Sequence, residues 1–168
     1  EQLVSYAEDM GYTHIELLPV TEYPLDDSWG YQATGYFSVS ARLGGVDNIM
    51  FLINLAHSKG LGVILDWVPA HFTKDAHGLR QFDGEPLFES SDPLRAEMPQ
   101  WGTLLFDYEK PEVREFLTEN ALFLLKELHA DGLRVDAVSC MLDNDFCKQQ
   151  WRPNRFGGRD NIDAIEFI

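Results

Sequence analysis

At 168 residues, 45% hydrophobic and 12% aromatic, the chain is long enough to fill one substantial core, and nothing in it has low-complexity or disordered composition. A formal net charge of -15 argues against nucleic-acid backbones and anionic membranes as partners and is compatible with a neutral or cationic ligand. No run of about eighteen apolar residues is present, and the opening EQLVSYAEDM lacks a basic region followed by an apolar core, so neither a membrane span nor a signal peptide is expected.

The elements follow one design three times: a helical pattern, a glycine stop, then a short apolar strand. First come Leu3, Tyr6, Ala7 and Met10, then Gly11, then YTHIELLPV. ATGYFSVSA alternates well enough to be a further strand. The second unit has Ile49, Leu52, Ile53 and Ala56, a stop at Gly60, and the strand GVILDWVP. In the third, Pro111 suits a first helical position. Val113, Phe116, Leu117, Leu124, Leu125 and Leu128 form the stripe to be buried, and Gly132 precedes LRVDAV.

Four strands alternating with helices predict an α/β protein with parallel strands joined by right-handed crossovers. Both a doubly wound sheet and a (β/α)8 barrel satisfy that pattern. No glycine-rich phosphate-binding motif follows any strand, whereas Asp66 closes VILD and Asp136 closes LRVD. Polar chemistry at the C-terminal ends of strands is what barrel enzymes use, and four strands make about the first half of a barrel of roughly 250 residues. The chain opens inside one amphipathic pattern and stops inside another, NIDAIEFI, and is expected to be a piece of a longer protein.

GLRVDAVSC places two charges, Arg134 and Asp136, in an apolar strand. Alternation puts both on one face and Leu133, Val135 and Ala137 on the other. A guanidinium beside a carboxylate keeps the acid ionised and leaves a positioned anion fit to attack a sugar carbon; spacing alone is equally consistent with a structural ion pair. His71, in DWVPAHF, stands just past a strand and near Asp66, where it suits hydrogen bonding to a hydroxylated ligand, acid–base work or loop capping. His14 is expected in the core, and no histidine has a partner at metal-ligand spacing. Cys140 and Cys147 lack the C-x-x-C spacing of zinc and redox sites, which suits reduced thiols in the cytoplasm. Residues 72–110 form a long segment carrying Phe72, Phe82, Phe88, Trp101, Phe106 and Tyr108; aromatic faces suit sugar rings, and most of these six are expected to pack the loop down.

DWVPAHF and GLRVDAVSC resemble the first and second conserved regions of the α-amylase superfamily of retaining glycosidases and transglycosidases, glycoside hydrolase family 13. GYTHIELLPV, SWGYQATGYF, KDAHGLRQFDG, WGTLLFDY and PNRFGGRDNIDAIEF are similar to segments of its 1,4-α-glucan branching subgroup, and the likeness covers essentially the whole chain. The resemblance implies a (β/α)8 TIM barrel of which residues 1–168 are the first half, strands one to four, a catalytic domain truncated at both ends.

It further implies retaining cleavage of an α-1,4-glucan such as glycogen or amylose through a glycosyl-Asp136 intermediate. Transfer to a 6-hydroxyl would then make the α-1,6 branches of glycogen. By the same resemblance Asp136 is the nucleophile and Arg134 its electrostatic partner. Tyr31 stacks on the sugar, His71 hydrogen-bonds it, and Asp66 organises the network around Tyr31 and Arg134. Trp101 and Arg155 stand on loops expected at the active-site rim, where they would supply substrate contacts. Ala70 stands where amylases carry a calcium-ligating asparagine, so no metal or cofactor is expected, and neither nucleic acid nor membrane is an expected partner. The superfamily's acid/base glutamate lies beyond these residues, so the 168 residues alone are expected to be inactive. A hydrolase of amylase or trehalose-releasing type and a non-catalytic sugar-binding relative are the alternatives.

Overall fold

A computed structural model describes residues 1–168. In chain order the elements are α1 (Gln2–Asp9), β1 (His14–Leu17), β2 (Thr21–Glu22), β3 (Gly35–Val39), α2 (Gly45–Ser58), β4 (Gly62–Trp67) and β5 (His71–Phe72). There follow α3 (Pro93–Ala96), β6 (Glu97–Met98), β7 (Thr103–Leu105), α4 (Pro111–Leu122), β8 (Gly132–Val135), α5 (Val138–Leu142) and α6 (Ile162–Phe167). The chain divides into two compact units, Glu1–Trp67 with Glu119–Val135, and Val68–Thr118 with Asp136–Ile168.

The first unit is built on a parallel sheet in the order β1-β4-β8. Helices connect its strands because parallel neighbours need crossovers of a dozen or more residues. Ile15 of β1, Val63 and Leu65 of β4, Val4 and Ala7 of α1 and Ile49, Ile53 and Ala56 of α2 are all buried in this unit. The α1 stripe differs from its sequence pattern: Val4 and Ala7 are buried, while Leu3, Tyr6 and Met10 are exposed. Gly11 and Gly60 both take left-handed φ of 74° just past their helices, which is why glycine stands there. At the third junction the left-handed residue is His129, with φ 62°, and Gly132 instead begins the strand.

Four parallel strands were expected; three are found. Gly35–Val39 does form a strand, but it folds back on Thr21–Glu22 as an antiparallel ribbon. The connection between those two segments holds no α-helix, only a 3-10 turn at Asp26–Ser28 that bends it. Period-two alternation marks a strand without naming its partner. His14 is exposed rather than in the core; its ring meets Thr13 Oγ1 at 3.0 Å and covers Gly62, where any Cβ would come within 2.4 Å of it.

The second unit contains a small antiparallel sheet, β5-β7-β6, within what the sequence shows as one long loop. Phe72, Phe88, Phe106 and Tyr108 are buried, and the Phe72 and Phe106 ring centroids lie 4.7 Å apart, so these rings pack the segment down as expected. Phe82 stays 63% exposed. Tyr108 donates to the Pro69 carbonyl at 2.7 Å and stacks on Phe167 of α6. No helix is long and apolar enough to cross a membrane.

Candidate active site

In the first unit Asp66 of β4 and Arg134 of β8 are register partners on adjacent parallel strands. That pairing carries the Arg134 guanidinium to within 3.2 Å of Asp66 Oδ2. The Asp66 side chain is 2% exposed, and a buried carboxylate is costly unless donors converge on it. A second donor is the Tyr31 hydroxyl, which hydrogen-bonds the same Oδ2. Tyr31 follows the 3-10 turn, its backbone N–H donating to the Ser28 carbonyl at 3.0 Å. The Arg134 guanidinium also lies 5.8 Å from the Tyr31 ring centroid. Three residues from distant parts of the chain thus meet on one carboxylate oxygen, with the Arg134 side chain still 44% exposed.

In the second unit His71 lies within a strand, β5, and not at a loop start. It is buried, and its ring centroid stands 4.9 Å from that of Trp101, which in turn lies 6.1 Å from Phe146. Burial lowers the His71 pKa to about 4, so the ring is neutral at pH 7 and offers one N–H donor and one acceptor nitrogen.

Asp136 follows β8 directly, in a turn; the strand ends at Val135, so the alternation expected to carry both charges on one face stops one residue short of it. Ala137, next in the chain, has a left-handed φ of 57°, a strained backbone for a residue with a Cβ. Burial, with the Asp136 charge adding to it, pushes the Cys140 thiol up to about 12, which makes Cys140 an unreactive packing residue. Arg155 lies at the wall of a pocket of about 470 Å³ with its guanidinium 5.3 Å from the Phe156 ring centroid. No group of three or more His, Cys, Asp or Glu side chains is arranged to hold a metal ion.

Asn120 is a structural contributor that sequence reasoning passed over. Fully buried, it accepts from Trp67 Nε1 at 2.8 Å and donates to the Tyr36 carbonyl at 2.5 Å, tying α4 to the strand residue beside Asp66. A signal was present: Asn120 continues the stripe of Val113, Leu117, Leu124 and Leu128, and a polar residue on a buried helical face must find partners.

The chain is 56% identical over 170 residues to the 1,4-alpha-glucan branching enzyme GlgB of Hydrogenovibrio crunogenus, covering 100% of this chain and 23% of that protein. It is 55% identical over 169 residues to the GlgB of Nitrosococcus oceani, covering 99% of this chain and again 23% of the relative. The chain therefore spans about a quarter of the length of these curated relatives. The crystal structure of the alpha-amylase from Geobacillus thermoleovorans complexed with acarbose superposes with a TM-score of 0.67 at 23% identity, over 83% of this chain and 34% of that one. That likeness shows the fold, part of an α-amylase-type (β/α)8 barrel. Residues 1–91, more than half of the 168, match the family described as the alpha amylase catalytic domain, and the chain belongs to that family.

Proposed function

We propose that residues 1–168 are part of the catalytic domain of a 1,4-α-glucan branching enzyme. The observation that carries this reading is the identity of more than half of all positions, along the whole chain, with proteins of that name. The substrate is an α-1,4-glucan and the reaction a retaining transfer.

In the first half-reaction an Asp136 carboxylate oxygen attacks the anomeric carbon, the C1–O4 bond breaks, and O4 takes a proton from a carboxylic acid outside these 168 residues. In the second, a sugar 6-hydroxyl attacks C1, releases Asp136, and returns its proton to that acid. Arg134, two residues earlier in the chain, is the electrostatic partner proposed for Asp136. Asp66 holds Tyr31 and Arg134 to one oxygen, which orients the Tyr31 ring for stacking on the sugar. His71, neutral because it is buried, gives a sugar hydroxyl a directional hydrogen bond without adding positive charge. Trp101, packed on His71, helps to shape that contact, and Arg155 meets the glucan further along. Two free thiols, Cys140 and Cys147, fit the reducing cytoplasm, where we place the reaction.

Branching and hydrolysis share the first half-reaction and differ in whether a 6-hydroxyl or water resolves the ester. The test gives the full-length protein amylose and follows the α-1,6 anomeric proton by NMR beside a reducing-end assay. The expected outcome is α-1,6 signal with little new reducing sugar; reducing ends rising without that signal would mean a hydrolase.

A further inference from the structure

Between α5 and α6 the chain forms a loop, residues 143–161, closed at its base by an antiparallel bridge between Asp143 and Asp160. Backbone bonds from Asn144 N to Arg159 O (2.9 Å) and from Asn161 N to Leu142 O (2.7 Å) reinforce that closure. Asn154 organises the tip. Its Oδ1 accepts from Phe156 N at 2.9 Å and Gly158 N at 3.0 Å, and its Nδ2 donates to the Asp160 carbonyl at 2.8 Å. Its backbone accepts from Gly157 N at 2.9 Å and donates to Gly158 O at 2.8 Å.

A loop so heavily bonded holds Phe156 in place, yet Phe156 is 78% exposed. One exposed apolar side chain needs no explanation by itself. This one is fixed by its backbone, has the Arg155 guanidinium 5.3 Å from its ring centroid, and stands next to Arg155 at the wall of the 470 Å³ pocket. The pocket volume lies within the range of small-molecule sites. Its charged lining consists of Arg95 and Arg155 against Asp107, Glu109 and Asp163, with Asn154 among the neutral groups. Two cations and three anions nearly cancel, so the pocket selects neither a strong anion nor a strong cation. Donors and acceptors side by side suit a ligand dense in hydroxyls, since each hydroxyl both donates and accepts. A pyranose also presents a face of C–H bonds that packs against an aromatic ring.

We propose that Phe156 and the adjoining pocket bind an α-1,4-glucan chain, the Phe156 ring stacking on one glucose unit and the pocket taking the hydroxyls of its neighbour. This rests on the reading that the protein works on α-1,4-glucan. Asn154 is a positioning residue here, acting through the loop it holds.

Maltoheptaose binding to the full-length protein tests the assignment, measured by calorimetry and by the fluorine signal of 4-fluorophenylalanine at position 156, identified by its loss in Phe156→Trp. Phe156→Ala should weaken binding about threefold to tenfold, and Phe156→Trp should stay within about twofold of wild type, as expected for ring stacking. The wild-type fluorine signal should move on titration. Melting temperatures should be unchanged, because removing an exposed ring opens no cavity. A fluorine signal unmoved by saturating maltoheptaose, or Phe156→Trp losing as much affinity as Phe156→Ala, would overturn the proposal. With amylose still branched, either result would leave the proposed function standing. No maltoheptaose binding and no branching by the wild type would overturn both.

Discussion

The burial of His71 ties the stability of the fold to pH. In the unfolded chain its imidazole titrates near the ordinary value of about 6.5, whereas in the fold burial holds it to about 4. The unfolded state therefore binds the proton more readily, and acid favours unfolding. The contribution is fully present above about pH 6.5 and is lost as pH falls toward 4. With these two values the linkage relation gives a loss of about 2 kcal/mol at pH 5 and about 3 kcal/mol at pH 4 relative to neutral pH.

Asp92, lowered first by its hydrogen bond from Arg152, loses its stabilisation as pH falls below the ordinary carboxylate value, at the acid end of this range. Such groups act alike in wild type and in His71→Gln, which cannot titrate, so the difference between the two proteins isolates the histidine. Denaturant unfolding of both at pH 7.5, 5 and 4 should show the variant losing less stability than wild type by those amounts. Histidine carbon NMR of the wild type should show the His71 ring neutral down to about pH 5. Parallel pH curves, or a His71 ring titrating near its ordinary value, would refute the argument.

Replacing Asn120 by alanine deletes its bonds to Trp67 and Tyr36 at a fully buried position and should cost about 2–4 kcal/mol in chemical denaturation. A loss under about 1 kcal/mol would mean that the two bonds contribute little. At Ala137, whose φ is 57°, stability should rank glycine at least equal to alanine and valine lower by about 1 kcal/mol or more; calorimetric melts giving the reverse order would contradict the strain argument. Arg134→Lys replaces a planar fork with a point charge beside Asp66 and should lower branching turnover at least about tenfold. Turnover within about twofold of wild type would assign the pair a purely structural role.

How much of this was legible in the residues depended on the kind of signal. Helix–strand alternation identified the parallel architecture, and β1, β4 and β8 lie where the apolar segments stand. Which strands pair was not legible, because Gly35–Val39 carries the same alternation as a core strand while the connection before it turns back without an α-helix. Glycine as a helix stop served at Gly11 and Gly60 and failed at Gly132, since His129 takes the left-handed turn there. For the α1 stripe, periodicity identified an amphipathic helix and its buried Ala7, but missed Val4 and took the exposed Leu3, Tyr6 and Met10 instead.

In the candidate site, Asp66, Arg134 and Tyr31 were singled out separately, and register plus a tight turn bring them onto one oxygen. The pairing of His71 with Trp101 could not be read from residues thirty apart without knowing that the intervening segment folds into a small sheet. Phe156 escaped notice for the opposite reason: an aromatic between arginine and glycines resembles any turn residue until its exposure and the Asn154 bonds are seen.

In the proposed mechanism Asp136 forms a glycosyl ester which a sugar hydroxyl then resolves. The most direct measurement incubates the full-length protein with a 5-fluoro-α-glucosyl fluoride, which forms the ester readily and releases it slowly, and maps the adduct by peptide mass spectrometry. One glycosyl adduct on Asp136 is expected, removed on adding a maltooligosaccharide acceptor. An adduct on another carboxylate, or steady branching with Asp136 replaced by asparagine, would contradict it.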